Sequence, residues 1–325
     1  MSAPLVSVKD LKVHFEVRGG LFSPQKTVRA VDGVSFDIGR GEILSLVGES
    51  GSGKTTTGKA ILRLVGATAG EVRFEGEPVS RKNSELHEFR KKAQMIYQDP
   101  YQSLNPREYV VDIVAEPLDV NGLVDTAAQR EERVKQALAA AGLQPPEDFL
   151  YRYPYELSGG QRQRAALASS LILDPAFVVA DEPVSMLDAS IRTGIVKLML
   201  KQRDERGIAY LFITHDLSLA WLISDRIAIM YLGRIMETGN ADVIIRRGLH
   251  PYTRALVGIM PVPGVERAGK RNLLAGDIPS AASFIPGCKF ASRCPTAQEI
   301  CRAECPELVE AEPGHSVACH FVKGA

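Results

Sequence analysis

No cysteine occurs before Cys288, although the chain has 325 residues and five cysteines in all. A disulfide framework is therefore excluded for most of its length. Four of the five thiols crowd between Cys288 and Cys305, and the last is Cys319. In a cytoplasmic protein that clustering points to metal or redox chemistry. Long apolar runs are also missing: nothing approaches the roughly 18 to 20 residues needed to cross a bilayer. The start MSAPLVSVKDLKVHF lacks the charged and then apolar regions of a secretory signal, so the chain reads as cytoplasmic and not membrane-spanning. Charge of one sign is not in excess, with 39 Lys and Arg against 39 Asp and Glu. Nucleic acid is not expected as a partner, because phosphate-backbone binding rests on a surplus of Lys and Arg. Internal repeats and low-complexity tracts are likewise absent. What is present is 45% hydrophobic residues, 28 Gly and 19 Pro, over a length that suits a large core and about two domains.

Short β-rich runs come first, at Leu5 to Phe15, Val34 to Ile38 and Ile43 to Val47, with an extended Gly-rich hairpin loop GGLFSPQKTVRA between the first two. ILSLV at Ile43 to Val47 is an unbroken apolar run of the kind a buried parallel strand uses. From about Tyr109 to Leu173 the pattern is helical, as in QREERVKQALAAAGL. Strands return at Phe177 to Ala180, Ala209 to Ile213 and Arg226 to Met230, separated by helical stretches such as Ile191 to Gln202. Strands alternating with helices predict an α/β fold with a mainly parallel sheet, an antiparallel β subdomain and an inserted helical subdomain at about 99–174. Prolines crowd the chain from His250 onward, which puts a boundary near Arg247 and divides it into 1–247 and a small Pro- and Cys-rich extension at 248–325.

GESGSGKT, Gly48 to Thr55, follows an apolar strand and precedes a helical pattern, the context a phosphate-binding loop requires. Phosphate oxygens need several donors at close range. Gly48, Gly51 and Gly53 let the backbone curl so that N–H groups of Glu49, Ser50, Ser52 and the helix start converge. Lys54 then reaches the β- and γ-phosphates, the Thr55 hydroxyl is placed for Mg²⁺, and Thr56 continues the helix N-terminus. FVVADEP supplies a second acidic piece at a strand end. There Asp181 is the candidate Mg²⁺ partner, and the longer Glu182 the candidate base for the attacking water.

Three further pieces follow: LSGGQRQR from Leu157, Gln98 after QMIY, and His215 after LFIT, together with SMLD at Ser185 to Asp188. The ordered set resembles the nucleotide-binding subunit of an ABC transporter over roughly residues 5–247. The resemblance implies a phosphate-loop NTPase core that hydrolyses ATP with Mg²⁺. It also implies that Gln98 senses the metal and the attacking water and begins the loop contacting membrane subunits, and that His215 bonds the γ-phosphate. Ser158, Gly159, Gly160 and Gln161 would close over ATP held by a facing subunit, either a second copy or a homologous ATPase. SGGQ is also an N-cap serine followed by turn glycines. Met186 departs from the family's alanine in the SMLD loop. Phe15 and Phe22 are both candidates for stacking on adenine. Nothing in these sites is degenerate.

HPYTRAL at His250 to Leu256 resembles the C-terminal extension of ATPases serving oligopeptide and dipeptide importers, a group that also includes nickel and oligosaccharide systems. The motif also reads as a helix start, with Pro251 in the first turn and Tyr252 packed inward. The resemblance implies two membrane permeases, an extracytoplasmic solute-binding protein and a place on the cytoplasmic face of the cell membrane. A soluble ABC ATPase of translation or DNA repair is the alternative. Such proteins carry paired ATPase units or long coiled-coil insertions, and neither occurs in this chain. The tail spacings of five, six, three and thirteen residues between cysteines do not match common zinc pairs. Four thiolates would suit a [4Fe–4S] cluster. By resemblance its ligands would be Cys288, Cys294, Cys301 and Cys319, with Cys305 as an alternative ligand or a free thiol. Zinc or metal-free reduced cysteines remain the other readings. A tail with so little core of its own is expected to need such a staple.

Overall fold

The computed structural model describes residues 3–17, 26–99, 103–260, 279 and 285–322. The chain forms two compact units. One comprises Met1–Gly39, Ile43–Val79 and Phe212–Ala325, and the other Arg40–Glu42 and Ser80–Leu211.

In the first unit, Val6–Val17 lies between Lys26–Ile38 and Ala69–Phe74 in an antiparallel sheet edged by Glu77–Pro78. The strand expected from Val34 starts at Lys26, which pairs with Val17, so the hairpin arm is longer than its polar sequence suggested. Alternation along the first strand buries Val6 and Val8 and, after an irregularity between Val8 and Leu11, Leu11 and Val13. The second sheet of this unit is mixed. Ile43–Val47, buried at every position, runs parallel to Arg226–Tyr231, with Leu44 opposite Arg226 and Val47 opposite Ile229. Arg226–Tyr231 then turns back onto Arg234–Asn240. Leu232 at φ 42° and Gly233 at φ 82° form the two-residue turn, matching the positive φ pair that tight hairpins need.

The extension continues this sheet. His315–Val317 pairs with Arg234–Asn240, Glu237 lying opposite Val317, and Val309–Glu312 forms the edge. Residues of the extension share one apolar core with the rest of the unit: Tyr252, Met260, Cys288, Phe290, Ala291 and Cys301 pack with Val47, Ile229, Tyr231, Met236 and Ile244. The order of the tail thus comes from a borrowed core. Phe290 is wholly buried, with its ring centroid 5.4 Å from that of Tyr231 and 5.2 Å from that of Tyr252.

In the second unit, Ala93–Ile96 is parallel to Phe177–Asp181, Ala93 standing opposite Phe177 and Ile96 opposite Ala180. Helices Val110–Val120, Ala127–Ala140, Glu147–Leu150 and Gly159–Leu171 enclose a separate core that includes Val114, Leu118, Val134, Leu138, Phe149 and Ala168. The helix expected at Ile191 to Gln202 runs from Ala189 to Arg206 and ends at Gly207, whose φ of 69° is the left-handed stop glycine allows.

Candidate nucleotide-binding site

The phosphate loop of the first unit is shaped by glycines that nothing larger can replace. A Cβ on Gly48 would strike the Met230 carbonyl oxygen, and one on Gly53 would strike that of Ala30. Gly53, at φ 102°, caps the helix Lys54–Ile61. Gly51, at φ 77°, has open space where its Cβ would stand. That cradle fits an anion: the backbone is drawn tight from behind and left clear above. Lys54 is only 6% exposed. Its ammonium donates to the carbonyls of Gly48 at 2.8 Å and Glu49 at 3.0 Å, so the charge is held inside the loop's curl. Ser52 is buried, and its carbonyl accepts from Gly233 N at 2.9 Å, which ties the loop to the tight hairpin. Thr55 and Thr56 lie in the first turn of the helix after it. His215 is exposed directly after Ala209–Thr214, and Asp216 beside it caps the helix Leu217–Ile223 through Ser218 N and Leu219 N. Phe15, one adenine-stacking candidate, is 42% exposed on the first strand. Phe22, the other, lies outside the described residues.

The second unit carries the acidic pieces. Asp181 is 4% exposed at the end of its strand. Glu182 follows at φ 45°, a conformation that is costly for a residue with a side chain and is concentrated at functional positions. Ser185 holds it there, with its amide at 3.2 Å and hydroxyl at 3.1 Å both donating to the Glu182 carbonyl. Gln98 stands two residues beyond its strand, which ends at Ile96, and its Nε2 donates to Glu182 Oε2 at 3.1 Å. The structure therefore brings Gln98 and Glu182 together, as their candidate roles around one water require. Ser158 is the N-cap of Gly159–Leu171. Its hydroxyl accepts from Gln161 N, and Gln161 Oε1 accepts from Ser158 N, completing a capping box. Gly160 is needed because a Cβ would come 2.7 Å from Ile191 Cγ2.

Residues 31–185 match the ABC transporter family, and residues 236–301 match the oligopeptide/dipeptide transporter C-terminal region. A putative oligopeptide transport ATP-binding protein of Bacillus subtilis is 46% identical over 99% of this chain and 97% of its own. The chain belongs to the ABC transporter ATP-binding family. A second Bacillus subtilis relative, the oligopeptide transport ATP-binding protein AppF, is 44% identical over 98% of this chain and 97% of its own. Among solved structures, a dimeric ATP-binding cassette in a post-hydrolysis state with ADP and Pi is 28% identical. It covers 73% of this chain and 98% of its own, with a TM-score of 0.65. This ABC protein is accordingly an ATPase with the phosphate-loop α/β fold.

In this ABC protein the cysteines depart from expectation. Among the described residues no three His, Cys, Asp or Glu side chains are grouped to hold a metal ion. The [4Fe–4S] cluster expected on Cys288, Cys294, Cys301 and Cys319, or with Cys305, is therefore not supported. Cys288 and Cys301 belong to the apolar core, and burial pushes the Cys288 thiol up to about 11. Burial also raises Cys319. Cys305 Sγ accepts from Arg234 Nη1 at 3.0 Å, and Cys294 Sγ lies 3.4 Å from Thr296 Oγ1.

Sequence reasoning missed how the extension grips the phosphate loop. His250 is the N-cap of Pro251–Ile259, its Nδ1 accepting from Tyr252 N at 3.0 Å. Burial pushes its imidazole down to about 4, so it is a neutral acceptor. Tyr252, fully buried, accepts from Glu49 N at 3.2 Å. Glu237, also fully buried, accepts from the amides of Leu249 at 2.7 Å and His250 at 2.9 Å, and lies 2.6 Å from His315 Nε2. One carboxylate thus ties two segments of the extension, at 249–250 and at His315, to the hairpin.

Proposed function

We propose that this ABC ATPase powers an importer of oligopeptides, dipeptides or solutes of similar size, including nickel complexes and oligosaccharides. The reading rests on one observation above all: similarity to oligopeptide transport ATP-binding proteins runs through the extension as well as the cassette. Region 1–247 is the nucleotide-binding domain and 248–325 the importer-type extension. Loop amides from Gly48 to Thr56 and the Lys54 ammonium bind the β- and γ-phosphates. Thr55, Asp181 and Gln98 are the partners of Mg²⁺, which when bound neutralises charge on the phosphates. Glu182 accepts a proton from the water that attacks the γ-phosphorus in line, Gln98 orients that water, and His215 donates to a γ-phosphate oxygen. Ser158, Gly159, Gly160 and Gln161 present a helix N-terminus to ATP held by a facing subunit, a second copy or a homologue.

Two permease subunits and an extracytoplasmic binding protein complete the assembly. No described helix is long and apolar enough to cross a membrane, and the ATPase sits peripherally on the cytoplasmic face against the permeases. The test is co-purification with those permeases, followed by ATP turnover in vesicles given binding protein with and without peptide. Peptide-loaded binding protein should raise turnover. Recovery with ribosomes and no permeases would sink the proposal.

A further inference from the structure

Glu49 places a carboxylate one residue inside a loop built to receive phosphate. A negative charge there opposes the ligand unless it is neutralised. The partner comes from 244 positions away. Arg293 Nη1 donates to Glu49 Oε2 at 2.8 Å and Nη2 to Glu49 Oε1 at 3.3 Å, a two-pronged pair, with the arginine side chain 7% exposed. Arg293 Nη1 also lies 3.3 Å from Tyr231 Oη, and its guanidinium carbon is 5.8 Å from the Tyr231 ring centroid. The turn that carries it is fixed: Ala291 N donates to Cys288 O, Arg293 N donates to Phe290 O, and Phe290 is sunk between Tyr231 and Tyr252. Tyr252 meanwhile accepts from Glu49 N. The extension therefore holds both the backbone and the side chain of a loop residue whose carbonyl receives Lys54 Nζ.

We propose that Arg293 is a positioning residue for nucleotide binding, neutralising and orienting Glu49 so that the extension sets the affinity of the phosphate loop for ATP. This rests on the reading of Gly48 to Thr55 as the ATP site. Arg293 touches no reacting atom and acts only through Glu49.

The experiment compares the full-length protein with Arg293→Ala, Arg293→Lys, Glu49→Gln and the Arg293→Ala/Glu49→Gln double variant. It reads KM and kcat for Mg-ATP, equilibrium binding of Mg-ATPγS, and the unfolding midpoint. Arg293→Ala should raise KM about five- to tenfold, the loss of one charge-assisted pair, with kcat within about twofold of wild type. Arg293→Lys should fall between, because one ammonium cannot span both carboxylate oxygens. The double variant should regain most of the lost affinity, since it removes the carboxylate left uncompensated by Arg293→Ala. An unchanged KM in Arg293→Ala would overturn the proposal. So would a double variant as weak as Arg293→Ala, with both unfolding at lower denaturant, since that describes a purely structural arginine. Failure of the wild-type protein to bind Mg-ATPγS would instead overturn the ATP-site reading, and this proposal with it.

Discussion

His250 makes the first unit of this ABC ATPase sensitive to acid in a way that one substitution isolates. Its imidazole is buried, accepts from Tyr252 N through Nδ1, and titrates at about 4 because burial disfavours the charged form. In the unfolded chain the same side chain protonates near its ordinary value of 6.5. Between those values the unfolded state binds the extra proton, so stability is complete above about pH 6.5 and falls as pH drops toward 4. At 1.36 kcal/mol per unit, the loss is about 2 kcal/mol at pH 5 and about 3 kcal/mol at pH 4, and it levels off between about 3 and about 4 kcal/mol in stronger acid. The chain has a single tryptophan, Trp221, in the same unit, hydrogen-bonded to Asp242 at 2.8 Å. Its fluorescence during urea unfolding reports this unit directly. His250→Asn keeps an N-cap acceptor and does not titrate, and it leaves Glu237 and His315 in place. The difference in unfolding free energy between the two proteins should therefore shrink by about 2 kcal/mol between pH 7 and pH 5, in favour of the variant. Parallel pH profiles for both would refute the neutral, buried acceptor.

Two other substitutions test the clamp and the loop. Glu237→Ala strands the amides of Leu249 and His250 and the His315 ring, and should cost about 3–5 kcal/mol in the same unfolding assay, with a loss under about 1 kcal/mol contradicting the clamp. Lys54→Ala removes the buried ammonium from the phosphate loop and should weaken Mg-ATPγS binding at least about tenfold. Unchanged affinity by titration calorimetry would count against the loop assignment.

The parts legible in the sequence are those whose determinants are local. Ile43–Val47 is apolar at every position because both faces are covered, and GESGSGKT carries its glycines where Met230 and Ala30 carbonyls crowd the backbone. The turn at Leu232 and Gly233 was hidden because a leucine occupies a positive-φ position usually given to Asn, Asp or Gly. The long helix was visible in its middle. Its N-cap, Asp188, makes no side-chain capping bond, and the start at Ala189 went unread. The tail misled for a different reason. Its cysteines suggested a private metal core, whereas Phe290 and Cys288 pack with Tyr231 and Tyr252, which no spacing within the tail reveals. Glu237 with His315 and Glu49 with Arg293 are separated by 78 and 244 positions, so each partner reads alone as an ordinary charged residue.

Glu182, strained at φ 45° and bonded to Gln98, is the proposed activator of water for ATP hydrolysis. Single-turnover hydrolysis of Mg-ATP by Glu182→Gln, run beside a Mg-ATP binding titration, tests it most directly. Glu182→Gln should keep wild-type ATP affinity with turnover reduced at least about 100-fold, as expected for loss of a general base. Hydrolysis at the wild-type rate, with ATP still bound, would contradict it.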